Sequence, residues 1–127
     1  MPPEKGSPQD WLIHAESDLQ LAVTGKSPKV LYETLCFHAQ QAVEKAVKAV
    51  LIANSVPSTK THNIGTLIGM LPTNVVFPGE LEEAVGLTNY AVMARYPGDL
   101  EPVTEDEYLE ALSLAEKVIN WAKDQIS

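Results

Sequence analysis

The sequence predicts an all-α chain folded as an up-and-down bundle of four to five helices. Three observations predict it. Apolar residues recur at three- and four-residue spacing through long stretches. Ser-Pro and Thr-x-x-Glu start signals pair with Gly and Pro stops. No stretch bounded by turns alternates as a strand would, and Val75-Val76-Phe77, the only β-branched cluster, is short and flanked by Asn and Pro.

Each segment follows from its own signals. Ser7-Pro8 supplies an N-cap and a proline at the first helical position, and Gly25 a stop, predicting a helix over residues 8–24. Its apolar face is Trp11, Leu12, Ala15, Leu19, Ala22 and Val23. Ser27-Pro28 repeats the start signal, so the second helix is expected to run from there to about Asn54, before Pro57. A short third helix is expected from Thr61 or His62 to Leu71-Pro72. A fourth spans Gly79 to about Tyr96, where Pro97-Gly98 ends it. Thr104 and Glu107 have the spacing of a capping box, in which each side chain satisfies the other's free backbone amide. The fifth helix then covers residues 105–126.

The second helix is patterned on more than one side. Leu31, Leu35, Ala39, Ala42, Val43, Ala46, Ala49 and Val50 form a broad apolar stripe. Thr34, His38, Gln41, Lys45 and Lys48 form a polar one, and Cys36, Val47 and Leu51 a third line interleaved with Gln40 and Glu44. The fifth helix also carries two apolar lines, Leu112, Ala115, Ile119, Ala122 and Ala111, Leu114, Val118, Trp121. Such surplus apolar faces predict a subunit interface and hence a homodimer.

Composition excludes several classes. A chain of 127 residues, 45% hydrophobic, is expected to be a single domain, 1–127, with a flexible N-terminus over residues 1–7. No apolar run approaches the ~20 residues of a membrane span, and the N-terminal segment lacks the apolar core of a secretory signal. The single cysteine, Cys36, cannot form an intramolecular disulfide, which fits a reducing cytoplasm. A net charge of −8 argues against non-specific coating of nucleic acid.

Little of the sequence spells catalysis. His14, His38 and His62 show neither Glu-x-x-His nor His-Glu-x-x-His spacing, so no metal and no cofactor is expected. Cys36 reads as a packing residue, and the glycines match no phosphate-cradling loop. Two features remain. His38, Gln41, Lys45 and Lys48 are either a solvated helix face or a donor row for a phosphate or nucleotide. Arg95-Tyr96, pinned by Pro97, either complements a helix C-terminus or holds an anion and stacks a base. The candidate nucleotide-binding residues are therefore His38, Gln41, Lys45, Arg95 and Tyr96, with no catalytic residue assigned.

Four segments then resemble a known family. Trp11-Leu-x-x-Ala15-x-x-Asp18-Leu19 comes first, followed by Cys36-Phe-His-Ala-Gln-Gln-Ala-Val-Glu-Lys45-Ala-Val-Lys48-Ala-Val. Thr61-His62-Asn-Ile and Ala94-Arg-Tyr-Pro97 complete the set, which resembles HEPN-domain proteins (higher eukaryotes and prokaryotes nucleotide-binding) over about residues 9–122. The resemblance implies a dimeric helical bundle that binds nucleotide and partners a minimal nucleotidyltransferase in a toxin–antitoxin-like cassette. It also implies, as alternatives, a metal-independent ribonuclease or a purely structural helical dimer. Ribonucleases of this family use an arginine followed after four to six residues by a histidine. Arg95 matches the arginine, but Leu100, Glu101 and Pro102 stand where the histidine should be. RNA is accordingly a disfavoured ligand.

Overall fold

The structure is a computed structural model, described for residues 2–57, 60–90 and 101–126. Its helices are α1 (Pro8–Thr24), α2 (Tyr32–Ala53), α3 (Ile64–Gly69), a 3-10 helix η1 (Gly79–Leu87) and α4 (Glu105–Ile126). No strand occurs among the described residues. The all-α bundle is as the sequence predicts.

α1 begins where expected. Ser7 accepts from the Asp10 amide (3.1 Å), Pro8 occupies the first turn, and the Asp10 carboxylate accepts the Gly6 amide (2.9 Å). Gly25 closes the helix at φ −76°, so it is needed for space and not for a left-handed turn. A Cβ there would lie 2.8 Å from Leu35 Cδ2 and 2.7 Å from the Leu21 carbonyl oxygen.

α2 starts four residues later than Ser27-Pro28 predicts. Ser27 to Val30 form a turn (Val30 N to Ser27 O, 3.1 Å), and extended Leu31 precedes the helix without a side-chain cap. Tertiary contacts fix the start. The Tyr32 ring stacks on Tyr108 (5.1 Å), its hydroxyl donates to Glu105 (2.9 Å), and Glu33 accepts the Val103 amide (2.8 Å). Lys26 and Tyr32 both bond the Glu105 carboxylate, which holds its carboxyl below the ordinary range. α4 opens with the expected capping box: Thr104 N to Glu107 Oε1 is 3.0 Å and Glu107 N to Thr104 Oγ1 is 3.2 Å.

The region between α2 and α4 is tighter than predicted. α3 is six residues long and starts after Asn63, whose side chain accepts the Thr66 amide (3.0 Å). His62 is therefore outside the helix. The fourth segment winds as a 3-10 helix, and its buried residues Leu81, Ala84 and Leu87 are spaced by three, the repeat that keeps one face inward. Residues 88–90 continue as helix, and the remainder of the predicted fourth helix lies outside the described residues.

α1 runs antiparallel to α2 and α4. Trp11 near its start meets Lys48 late in α2, and Ala22 near its end accepts the Tyr108 hydroxyl from the first turn of α4 (2.6 Å). Ala15 and Ala22 of α1 and Ala39, Ala42 and Ala46 of α2 are fully buried in one core, small residues suited to closely packed helices. α3 and η1 cover the far side, contributing Ile64, Leu67, Leu81, Ala84 and Leu87 to the same core. Trp121 closes one end, donating to the Val76 carbonyl (3.0 Å) and meeting the Phe77 ring edge-on (4.9 Å).

This arrangement corrects the basis given above for a dimer. Cys36, Val47 and Leu51 are fully buried within one chain, and both lines of α4 are buried apart from half-buried Leu112. The surplus faces are internal, and the exposed large apolar residues include Ile13, Leu21 and Val23 on α1 and Leu31, Val76, Val85 and Leu109 elsewhere. No helix among the described residues is long and apolar enough to cross a membrane.

The buried Tyr108–Ala22 hydrogen bond joins two helices that start 97 residues apart (8 and 105). Tyr108→Phe is expected to lower stability by about 1 kcal/mol while keeping the fold. Urea unfolding followed by circular dichroism measures this, with the midpoint falling at unchanged slope.

Candidate functional site

Charged and polar groups cluster along one side of α2. Asp18 of α1, with a side chain 14% exposed, receives two of them: Lys45 Nζ at 2.6 Å from Oδ2 and His38 Nδ1 at 3.1 Å from Oδ1. The amphipathic pattern of α1 explains the meeting. Asp18 sits one helical turn from both Ala15 and Ala22, at the edge of the buried face, where its carboxylate can reach across to α2. The Phe37 ring meets His38 edge-on (5.5 Å). The side chains of His38 and Lys45 remain about a quarter exposed, so the seam between α1 and α2 is open to solvent there.

A second cluster lies one face further round. Glu44, 2% exposed, accepts from or shares a proton with His62 Nδ1 (2.6 Å) and faces Lys48 Nζ (3.6 Å). Lys48 is itself buried and sits over the Trp11 ring, 5.6 Å from its centre. Gln40, fully buried, donates its Nε2 to the His62 carbonyl (3.4 Å), while its Oε1 is buried with no hydrogen-bond partner among the described residues. Three polar residues spaced by four thus run along α2 beneath an exposed loop histidine.

Burial changes what these pairs are. At a surface, Glu44 and Lys48 would contribute a few tenths of a kcal/mol. Out of water, each ion carries a desolvation cost of several kcal/mol, recovered only while its partners stay in place.

Among the candidate residues, the structure brings His38 and Lys45 together through Asp18, and half-buried Gln41 lies one turn before Lys45 on the same side. Arg95 and Tyr96 lie outside the described residues. The polar stripe is partly covered by α1: Lys48 is buried, His38, Gln41 and Lys45 are half-buried, and Thr34 is exposed. Asp18, Gln40, Glu44 and His62 complete the arrangement and were not assigned from sequence. The signal available was Gln40-x-x-x-Glu44-x-x-x-Lys48, a polar line running through otherwise apolar positions. Cys36 is the packing residue expected: burial is the main cause pushing its thiol up to about 12, opposed by a hydrogen bond with Tyr90.

An all-helical bundle is also the fold of the HEPN proteins this chain is similar to. The HEPN domain model matches residues 8–125, and the chain belongs to this family. It is 32% identical over 139 aligned positions to a protein of Methanocaldococcus jannaschii named "Putative toxin MJ1304", covering 90% of this chain and 84% of that one. Among solved structures it resembles TT1696 from Thermus thermophilus, with a TM-score of 0.82 and 34% identity over 93% of this chain and 97% of that one. It also resembles ST0689, described as an archaeal HEPN homologue, with a TM-score of 0.76 and 32% identity over 95% and 98%.

Two outcomes follow from the geometry. Glu44→Ala, which leaves Lys48 buried without its carboxylate, is expected to cost about 3 kcal/mol or more. Glu44→Leu with Lys48→Met should recover most of that loss, as thermal or urea unfolding would show. Cys36 in the folded protein is expected to resist a thiol reagent at pH 8 and to react fully once denatured.

Proposed function

We propose that this chain is the HEPN subunit of a two-component, toxin–antitoxin-like cassette, a homodimer that associates with a minimal nucleotidyltransferase and holds a nucleotide. The observation that carries the reading is the convergence of His38 and Lys45 on Asp18 at a half-open seam. The relative whose name includes "toxin" supports the cassette. The missing histidine at 100–102 favours binding over ribonuclease chemistry.

The proposed nucleotide site joins Arg95 and Tyr96 to His38, Gln41 and Lys45. Arginine supplies a planar fork for phosphate, and tyrosine a face for the base. Lys45 is already paired with Asp18, so it contributes direction more than net charge. In the pairing with a nucleotidyltransferase, an acidic surface on this chain favours a basic patch on the partner.

One observation favours a second reading. His38 and His62 each engage a carboxylate through Nδ1, an arrangement that fixes the ring and keeps Nε2 for proton exchange. An altered HEPN ribonuclease would use such an imidazole in place of the absent histidine. Growth arrest on expression that Arg95→Ala abolishes would favour it, and RNA left intact after long incubation would remove it.

Calorimetric titration with ATP tests the main reading. Saturable binding is expected, lost in Arg95→Ala and weakened about tenfold in Lys45→Ala, the loss of one charge-assisted hydrogen bond. Binding unchanged in both variants would contradict the site. A nucleotidyltransferase encoded beside this chain should be retained by it at micromolar concentration, and failure to do so would contradict the partnership.

A further inference from the structure

Each carboxylate in the α2 clusters serves one lysine and one histidine. Asp18 holds Lys45 and His38, and Glu44 holds Lys48 and His62. With neutral imidazoles the two carboxylates and the two ammonium groups cancel. Each cluster then offers an anion oriented donors but, among the described residues, no net positive charge, in a chain whose overall charge is −8. Among these groups, protonation of the histidines changes this, by one positive charge at each cluster. Histidine is the side chain whose charge changes between about pH 5 and pH 8.

We propose that these two clusters take phosphate-bearing anions together with protons, His38 and His62 supplying positive charge that the carboxylate-paired Lys45 and Lys48 do not. The inference rests on the nucleotide reading above for the His38 cluster and extends it to the Glu44–His62 cluster. The lysines are held at 2.6 Å and 3.6 Å to carboxylates that are 14% and 2% exposed, so turning away would leave each shielded carboxylate to its histidine alone among the ion-pair partners described. The histidines retain exposed edges, with side chains 27% and 54% accessible. A phosphate can reach an imidazole there without breaking the Nδ1 contact.

The surroundings of both rings are defined. His38 faces Asp18 from α1, Lys45 on the same carboxylate, and the edge of Phe37. His62 faces Glu44 and Lys48 from α2 and is tied through its carbonyl to Gln40. Among the described residues, α3, η1 and α4 place no ion-pairing group on either ring. By linkage, a bound anion that favours the charged imidazoles must also draw protons onto them.

The test uses the full chain, with ATP, inorganic tripolyphosphate and adenosine titrated at pH 8.5 and pH 5.5. Each titration is repeated in two buffers of different ionisation enthalpy, so that proton uptake is counted. ATP and tripolyphosphate are expected to bind at least tenfold more tightly at pH 5.5 with net proton uptake, and adenosine not to bind. The His38→Gln, His62→Gln double variant should lose most of that pH dependence. Because both substitutions touch contacts that hold the fold, the wild-type imidazole resonances are also followed by NMR; added tripolyphosphate should move both titration midpoints upward. ATP affinity independent of pH, or imidazole midpoints indifferent to tripolyphosphate, would overturn the proton coupling while leaving the nucleotide reading intact. Binding of ATP but not of tripolyphosphate would assign recognition to the base and overturn the anion site. No binding of ATP at either pH would remove both.

Discussion

The burial of α2 on nearly every side is the constraint from which the rest of this structure follows. A helix in that position must meet α1, α4, α3 and η1 with different faces. Its buried alanines and its larger aliphatic residues all join one core. Most of the apolar surface of α2 is used on intramolecular contacts among the described residues.

That same burial gives the polar residues of α2 their consequence. Glu44 and Lys48 would be an ordinary pair on a surface helix. Beneath Trp11 and the loop carrying His62 they form a fixed charge pair that the fold cannot lose singly. Asp18 does the equivalent from α1, holding Lys45 and His38 at the open edge. Fold and candidate site are thus one set of interactions. The contacts that orient the imidazoles also join α1, α2 and the loop before α3.

Local signals made much of the fold legible in the sequence. The Ser7-Pro8 start, the Thr104–Glu107 capping box and the limits of α1 and α4 depend on residues a few positions apart, and the structure keeps them. Ser27-Pro28 carried the same local signal but forms a turn, because Tyr32 and Glu33 are held by residues from the α4 end of the chain. The 3-10 winding of η1 was readable only in the three-residue spacing of Leu81, Ala84 and Leu87. For the site, His38 and Lys45 stood out as polar residues on one helical stripe. Their carboxylate partner did not, since Asp18 lies 20 and 27 residues away and a helical wheel shows one helix at a time. Glu44, interleaved with an apolar line, did not stand out for the same reason: spacing reveals neighbours along a helix, not what covers them. Arg95 and Tyr96 belong to the candidate site by motif alone.

Native-state hydrogen exchange, resolved by NMR, tests the primacy of α2 most directly. Amides from Ala39 to Leu51 are expected to exchange only through global unfolding, with protection equal to the stability measured by denaturation. α3, six residues long, should open locally at lower cost. If the amides around Glu44 and Lys48 exchanged by local opening while α1 and α4 stayed protected to the global limit, α2 would not be the element on which the structure depends.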